Sequence, residues 1–222
     1  MQKLVIIGCS EIAKVAYEYF THDSQYQVVA FAADKEYINQ PTLYGKPVVD
    51  LEKLHIKYPP KEYKIFIAIN GLQLNRVREK KYNALKRLGY SFASYVSSKA
   101  FVWQNVEIGD NCFILENNTL QPFVKIGNNV TLWSSNHIGH GSIIHDHVFV
   151  TSHVVISGLC EIESNTFIGV NACIADTVKI AKYNFIAMGS VLNKSTKEDS
   201  VVIGNPAIVH KVPAKKFCKV ND

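Results

Sequence analysis

The sequence predicts a small parallel α/β domain followed by a solenoid of short parallel β-strands. Three observations carry this: an unbroken six-residue repeat over 100–195, alternating strand and helix patterns before it, and Gly or Asn where strands should end. Starting from Ala100, the third residue of each hexad is Val, Ile or Leu, from Val102 and Ile108 through Ile186 and Leu192. All sixteen hexads keep the rule without an insertion. A fixed period is read before local propensity, because it marks a repeat architecture. Period six is neither helical nor simple alternation. Each hexad therefore forms one face of a prism, and its aliphatic residue stacks inward on the equivalent residue three hexads later. The first hexad position (Cys112, Val124, Val130, Ser142, Val148, Val154, Cys160) is mostly small or β-branched, which suits a second inward position near a corner. Asn105, Gly109, Asn111, Gly127, Asn129, Asn165, Gly169 and Asn171 mark turns, where the backbone can enter left-handed conformations at low cost.

Ahead of the repeat, LVII closing on Gly8 reads as a buried strand, and the turn CSE leads into an amphipathic helix, IAKVAYEYF. YQVVAFAAD is a strand closing on Asp34, and GKPVVDLEKL is a short strand or turn running into a helix. KIFIAIN is a strand closing on Asn70, and RVREKKYNALKRLGY is an amphipathic helix stopped by Gly89. This alternation implies a small, parallel, Rossmann-like sheet. It occupies residues 1–92, and the solenoid with its tail fills 93–222. SYVSSKAFVW delivers the chain into the repeat, with SSKA placed to cover the open first coil. After the repeat, VVIGNPAIVHKVPAKKF reads as a strand-turn segment and a short helix, with a tight turn at Gly204, Asn205 and Pro206.

In parallel α/β sheets, ligands bind beyond the carboxyl ends of the strands. Those ends carry Gly8, Cys9, Ser10, Asp34 and Ala68–Asn70. A pyrophosphate could sit over the first helix N-terminus, and Asp34 could accept from a ribose hydroxyl or a base. The loop has one glycine and lacks the G-x-G-x-x-G fingerprint, which argues against nicotinamide redox chemistry. A packing domain without a ligand is the alternative.

Composition excludes several classes. The chain has 222 residues and 47 % hydrophobic content, ample for packed cores, and no apolar run near the ~20 residues that span a bilayer. Five cysteines, odd in number and without a CxxC pair, point to a reducing cytoplasm and away from disulfides or structural zinc. A net charge of +5 is mild. It could attract phosphorylated small molecules, but no basic block suggests nucleic acid.

Histidine is concentrated where the chemistry is expected. His137, His140, His145, His147 and His153 fall within one short stretch, and the inward columns need none of them. They are therefore expected on faces and corners, where one imidazole could accept a proton near neutral pH. His140 lies between glycines in HIGHG, so little bulk blocks access to it. Asp146 could orient His145 or His147. Most of the five are expected to be solvated or interface residues, and their spacing matches no zinc motif.

The hexapeptide repeat, the NHIGHGS segment and the closing GNPA turn resemble the left-handed β-helix acyltransferases. With its α/β domain, the chain resembles bacterial sugar acetyltransferases of the bacillosamine-biosynthesis type and the related sialic acid O-acetyltransferases over nearly its whole length. The resemblance implies a left-handed β-helix assembled as a homotrimer, with active sites between subunits and acetyl-CoA along the groove. It puts acetyl-CoA near Gly158, Val170, Ala187, Met188, Gly189 and the turn Gly204, Asn205, Pro206 and Ala207, with Lys211, Lys215 and Lys216 toward its phosphates. It puts the nucleotide of an activated amino sugar at Gly8, Cys9, Ser10, Asp34 and Asn70. The family's catalytic histidine falls on His140, with Asn136 or Asp146 to orient it, His145 or His147 as fallback bases, and the Gly158 N–H as a candidate oxyanion donor. Two positions depart from the pattern. Ile12 stands where bacillosamine-type members often have histidine, and Gly141 stands where an acidic residue often follows the catalytic histidine.

The resulting expectation is acetyl-CoA-dependent N-acetylation of a UDP- or dTDP-linked amino-dideoxy sugar in the cytoplasm, serving surface glycan, O-antigen or lipopolysaccharide synthesis. An imidazole would act as base in direct transfer, with no metal and no acyl-enzyme; Cys160, in an inward column, is a poor nucleophile. The rivals are O-acetylation of a sugar such as sialic acid, and a non-catalytic β-helix scaffold. Transfer of formyl or a longer acyl group is a further variant.

Overall fold

The computed structural model describes residues 2–221, in two compact units, Met1–Asn70 with Lys80–Tyr95, and Gly71–Glu79 with Val96–Asp222. Up to residue 92 the chain runs β1 (Gln2–Ile7), α1 (Glu11–His22), β2 (Tyr26–Ala33), β3 (Thr42–Leu43), β4 (Lys46–Asp50), α2 (Leu54–Lys57), β5 (Lys64–Ile67), α3 (Arg76–Arg87) and β6 (Ser91–Phe92). The strands form one sheet in the order β3-β4-β2-β1-β5-β6. All neighbours are parallel except β3 and β4. Leu4, Val5, Ile6 and Ile7 are all buried, as a central strand covered on both faces requires. Ala13, Ala16 and Phe20 form the buried stripe of α1. Gly89 takes a positive φ of 84°, and its N–H bonds the carbonyl of Lys86, the predicted helix stop.

The second unit is a left-handed parallel β-helix. Its two-residue strands stack in three sheets. Face one includes Phe113–Ile114, Thr131–Leu132, Phe149–Val150, Phe167–Ile168 and Phe185–Ile186. Face two includes Thr119–Leu120, His137–Ile138, Val155–Ile156 and Cys173–Ile174. Face three includes Lys125–Ile126, Ile143–Ile144, Glu161–Ile162 and Lys179–Ile180. Partners are 18 residues apart throughout, as in Thr119↔His137↔Val155, so three hexads make one coil. The predicted inward column is buried from Ile114 to Leu192, and its first members, Val102 and Ile108, are half-buried. Those two belong to the first coil, which has no preceding coil to cover it.

The sixth hexad position turns every corner. From Asn111 to Gly189 it has positive φ in every coil, at residues as different as Asn129, Phe123, His147, Leu159 and Tyr183. Stacking, not local preference, holds these residues in a conformation that costs about 1–2 kcal/mol for non-glycine side chains. Val201–Gly204 pairs with Ala207–Val209 as an antiparallel hairpin at the end of face one, through a cis Asn205–Pro206 peptide. The short helix α4 (Ala214–Phe217) follows. Phe149, Phe167 and Phe185 stack in a ladder outside face one, with centroids 5.6 and 5.2 Å apart, and Phe217 continues it at 5.1 Å. Among the described residues no helix is long and apolar enough to cross a membrane.

Candidate functional site

The 18-residue coil decides which residues can meet. One corner of the β-helix stacks 139–142 on 157–160 and 175–178; a second stacks 133–136, 151–154, 169–172 and 187–190; the third stacks 127–130, 145–148 and 163–166. His140 is exposed on the first. Its main-chain N–H donates to Gln121 Oε1 at 2.9 Å, and its carbonyl accepts from Leu159 N–H at 2.8 Å. Its imidazole lies flat against the next coil. A Cβ built on Gly158 would be 2.4 Å from His140 Cε1 and 2.9 Å from each ring nitrogen. Gly158 is therefore needed for space. The Gly158 N–H donates to Asp176 Oδ1 at 2.8 Å. The expectation of Gly158 as an oxyanion donor is corrected accordingly, because its single N–H is already committed.

The two residues expected to orient His140 lie on the other corners. Asn136 is buried: its Nδ2 donates to Trp133 O at 2.5 Å, and its Oδ1 accepts from Val154 N–H at 2.8 Å. It braces the backbone. Asp146 Oδ1 accepts from Asn128 N–H at 2.6 Å. Within one chain, His140, Asn136 and Asp146 thus occupy three different corners.

The fallback histidines also differ from expectation. His145 Nε2 is 3.0 Å from Glu161 Oε1, so its carboxylate partner is Glu161 and not Asp146. Lys179 Nζ reaches Glu161 Oε2 at 2.9 Å and Glu163 Oε1 at 3.2 Å. The lysine and histidine hold the Glu161 carboxyl below its usual range, lysine having the larger effect. His145, Glu161 and Glu163 could together face a metal ion, but the Lys179 ammonium already bridges both carboxylates and offsets one of their two charges. His147 is buried, contrary to the expectation of an outward side chain. Its Nδ1 accepts from Asn129 Nδ2 at 2.9 Å, Asn129 Oδ1 accepts from Asn111 Nδ2 at 2.6 Å, and Asn75 Nδ2 donates to the His147 carbonyl at 2.8 Å. Burial lowers the His147 pKa. It is a corner residue of the coil stack.

The residues expected to meet acetyl-CoA divide between places on the β-helix. Val170, Ala187, Met188 and Gly189 share the 133–136 corner stack, with Val170 and Met188 exposed. Gly204 to Ala207 form the terminal hairpin, and Lys211 is exposed beyond it. Lys215 packs its ammonium 4.1 Å from the Tyr183 ring centre. Cys160 is buried, and burial raises its thiol pKa, which disfavours the nucleophilic thiolate.

In the α/β unit, adjacency of β2, β1 and β5 brings the expected residues to one sheet edge. Gly8 follows β1 with φ of 127°; its N–H donates to Ala32 O at 2.7 Å, and Ala68 N–H donates to Ile7 O at 2.8 Å. A Cβ on Gly8 would meet Ala68 O at 2.6 Å, so only glycine fits that close approach. Cys9 Sγ donates to Tyr37 O at 3.2 Å. Ser10 is the N-cap of α1, but its side chain makes no capping bond. Asp34 Oδ1 pairs with Lys81 Nζ at 2.5 Å. Lys81 was missed from the sequence because it is one of several lysines on an amphipathic helix. Asp176 was missed too, although its place 36 residues after His140 put it two coils along the same column.

Comparison with known proteins agrees with this architecture. Residues 3–85 match the PglD N-terminal domain family, and 105–136 and 123–158 match the bacterial transferase hexapeptide family (six repeats). The chain is thus similar to the PglD N-terminal domain over its α/β part and to bacterial hexapeptide transferases over part of its β-helix. The acetyltransferase domain of PglB from Neisseria gonorrhoeae superposes with a TM-score of 0.86 at 22 % identity, covering 95 % of this chain and 100 % of that one. A perosamine N-acetyltransferase from Caulobacter crescentus, in complex with CoA and GDP-perosamine, gives 0.83 at 21 %, covering 95 % and 97 %. WeeI from Acinetobacter baumannii gives 0.73 at 25 %, covering 95 % and 100 %. Curated relatives match shorter stretches. Gamma carbonic anhydrase 1 of Arabidopsis thaliana is 36 % identical over 70 residues, 31 % of this chain and 25 % of that protein. The acyl-[acyl-carrier-protein]–UDP-N-acetylglucosamine O-acyltransferase of Rickettsia peacockii is 44 % identical over 59 residues, 27 % of this chain and 22 % of that protein. The chain thus spans about a quarter of the length of these two curated relatives.

Proposed function

We propose that this protein transfers an acetyl group from acetyl-CoA to the amine of a nucleotide-linked amino sugar. The observation that carries the reading is His140, whose exposed imidazole rests against Gly158 and makes no hydrogen bond or ion pair among the described residues. An amino sugar is cationic near neutral pH, so its amine must lose a proton before attacking the thioester. A ring nitrogen of His140 takes a proton as the C–N bond forms, and the departing thiolate of CoA is protonated to the thiol. The complexes of the PglB domain with acetyl coenzyme A and of the perosamine enzyme with CoA and GDP-perosamine support the donor and acceptor class.

In this reading the α/β unit and the β-helix each supply a ligand region. Gly8, Cys9, Ser10, Asp34 and Asn70 hold the nucleotide. The N–H groups at the start of α1 face an anion there. Val170, Ala187, Met188, Gly189 and the Gly204–Ala207 hairpin receive CoA. Exposed Phe123, Leu159, Ile143 and Val155 surround the His140 corner, an apolar surface suited to a second copy of the chain. That surface supports a homotrimer with the site completed between subunits, in which an Asp146 of another copy could approach His140. The setting is cytoplasmic synthesis of a surface glycan.

The test is incubation with acetyl-CoA and a panel of UDP-, dTDP- and GDP-linked 3-amino and 4-amino sugars, with products read by mass. A gain of one acetyl group on an amino sugar is expected. Acetylation of none, with acetyl-CoA still bound, would favour a hydroxyl acceptor; no acetyl-CoA binding would leave only a scaffold.

A further inference from the structure

The column through His140 continues, one residue per coil, to Gly158, Asp176 and Lys194. Two side chains of this column reach the same glycine. The imidazole of His140 occupies the space a Gly158 side chain would fill, with its Cε1 2.4 Å from the built Cβ. From the other side, Asp176 Oδ1 takes the Gly158 N–H at 2.8 Å. The β-helix fixes other peptides at this hexad position in the same way, with Asp110 N–H donating to Asn128 Oδ1 at 3.0 Å and Asn128 N–H to Asp146 Oδ1 at 2.6 Å. The residues flanking Gly158 join their neighbours through main-chain bonds: Ser157 N–H to Ile174 O at 3.0 Å and Leu159 N–H to His140 O at 2.8 Å. Gly158 alone of the three is tied down by a side chain, and it forms the floor under the imidazole. The sixth position beside His140 is Gly141, with a positive φ of 66° and no side chain to hold the ring.

We infer that Asp176 is a positioning residue for His140, acting through the hydrogen bond that fixes the Gly158 peptide on which the imidazole rests. It does not touch the reacting atoms. The Asp176 side chain is exposed and makes no ion pair among the described residues; its carboxylate serves here as an acceptor, so an amide oxygen can replace it. A freed Gly158 peptide would let the imidazole leave the position from which it meets the acceptor amine. This role rests on the proposed acetyl transfer, but the geometry can be read without it.

The experiment compares wild type, Asp176→Ala and Asp176→Asn in the full chain. In the absence of substrate, NMR reads the nuclear Overhauser contact between the His140 ring protons and the Gly158 α-protons, together with the Gly158 amide shift. The contact is expected in wild type and Asp176→Asn and to be lost or much weakened in Asp176→Ala. With the amino-sugar substrate, Asp176→Ala should lower kcat by about tenfold or more, the scale of one displaced catalytic contact, with KM for acetyl-CoA unchanged. Asp176→Asn should restore most of that loss. The inference is overturned if the contact survives in Asp176→Ala, or if Asp176→Asn loses it equally. The NMR result stands apart from turnover, so a wild-type chain with the contact but no acetyl transfer would sink the functional reading and not this one. Should Asp176→Ala unfold, Asp176→Asn against Asp176→Leu at the same readout decides the matter.

Discussion

The His140 imidazole lies where the side chain of residue 158 would be, 2.4 Å from Cε1 to the built Cβ of Gly158. Real Cβ contacts do not come this close, so Gly158→Ala must push the ring outward. His140 is exposed, and it can move without opening the core. The expected outcome is a folded protein with an unchanged melting temperature and acetyl transfer reduced by about 10²-fold, the scale for an angstrom-level misplacement. Parallel melting curves and turnover assays check it.

His140→Ala removes the proposed base while preserving Gly158 and its bond to Asp176. Loss of a general base costs typically 10²–10⁴-fold, and acetyl-CoA affinity should stay at the wild-type value by calorimetry. Retained activity would transfer the role to another imidazole, with exposed His153 as the next to test.

The fold was largely legible in the sequence because a period of six forces one inward residue per hexad. Burial from Ile114 to Leu192 follows from that alone. The same arithmetic held more than was drawn from it. Asn136 is the first residue of its hexad, an inward position, and the structure buries it as a brace. His140 and Asp146 are each fifth in their hexads, six apart, which turns them by one face and sets them on different corners. Asp176, two full coils on, was the residue to seek beside His140. Chemistry hid the other misses. His147 takes a left-handed corner position used elsewhere by asparagine, and only its neighbours Asn129 and Asn75 reveal that it is buried for structure.

Asp34→Ala should weaken the nucleotide sugar more than acetyl-CoA. The substitution also frees Lys81 Nζ from its 2.5 Å ion pair, leaving an ammonium able to meet a phosphate. Lys81→Ala in the Asp34→Ala background separates the two contributions. Titration of both ligands against each variant measures the division; equal losses for both would count against a nucleotide site at this sheet edge.

Arg78 is wholly buried in the β-helix unit, and burial pushes its guanidinium pKa down to about 10. It donates from Nη1 to Asn129 O and Thr131 Oγ1, at 2.8 and 2.9 Å, and from Nη2 to Asn111 O at 2.8 Å. These acceptors belong to successive coils, so the planar fork ties the corner ladder together. Arg78→Met keeps much of the volume but leaves buried oxygens without these donors. A loss of roughly 2–4 kcal/mol follows from unmet buried hydrogen bonds, measured by denaturant unfolding. Arg78→Lys should recover only part, because an ammonium cannot reproduce the fork.

The ladder above Arg78 also gives stability a pH dependence. Asn111 Nδ2 donates to Asn129 Oδ1, and Asn129 Nδ2 to His147 Nδ1, so the chain of donors requires an unprotonated Nδ1. Adding a proton there would set two donors face to face. Burial, the largest influence, lowers the His147 pKa, and Arg78 and Arg76 act in the same direction against the opposing effects of Glu79 and Asp146. The folded chain therefore binds this proton less readily than the unfolded chain, whose imidazole titrates near 6.5. Above that pH both states are neutral at this site and its contribution is constant. As the pH falls below about 6.5 the unfolded state gains the proton first, and stability declines until the folded-state value is passed. His147→Asn keeps an oxygen acceptor for Asn129 and suits the left-handed corner, so it should flatten this acid limb of the stability curve below about pH 6.5. Denaturant unfolding across that range, wild type against His147→Asn, measures the difference. Parallel curves for the two proteins would show that the imidazole is protonated equally in both states and that the ladder does not depend on its neutrality.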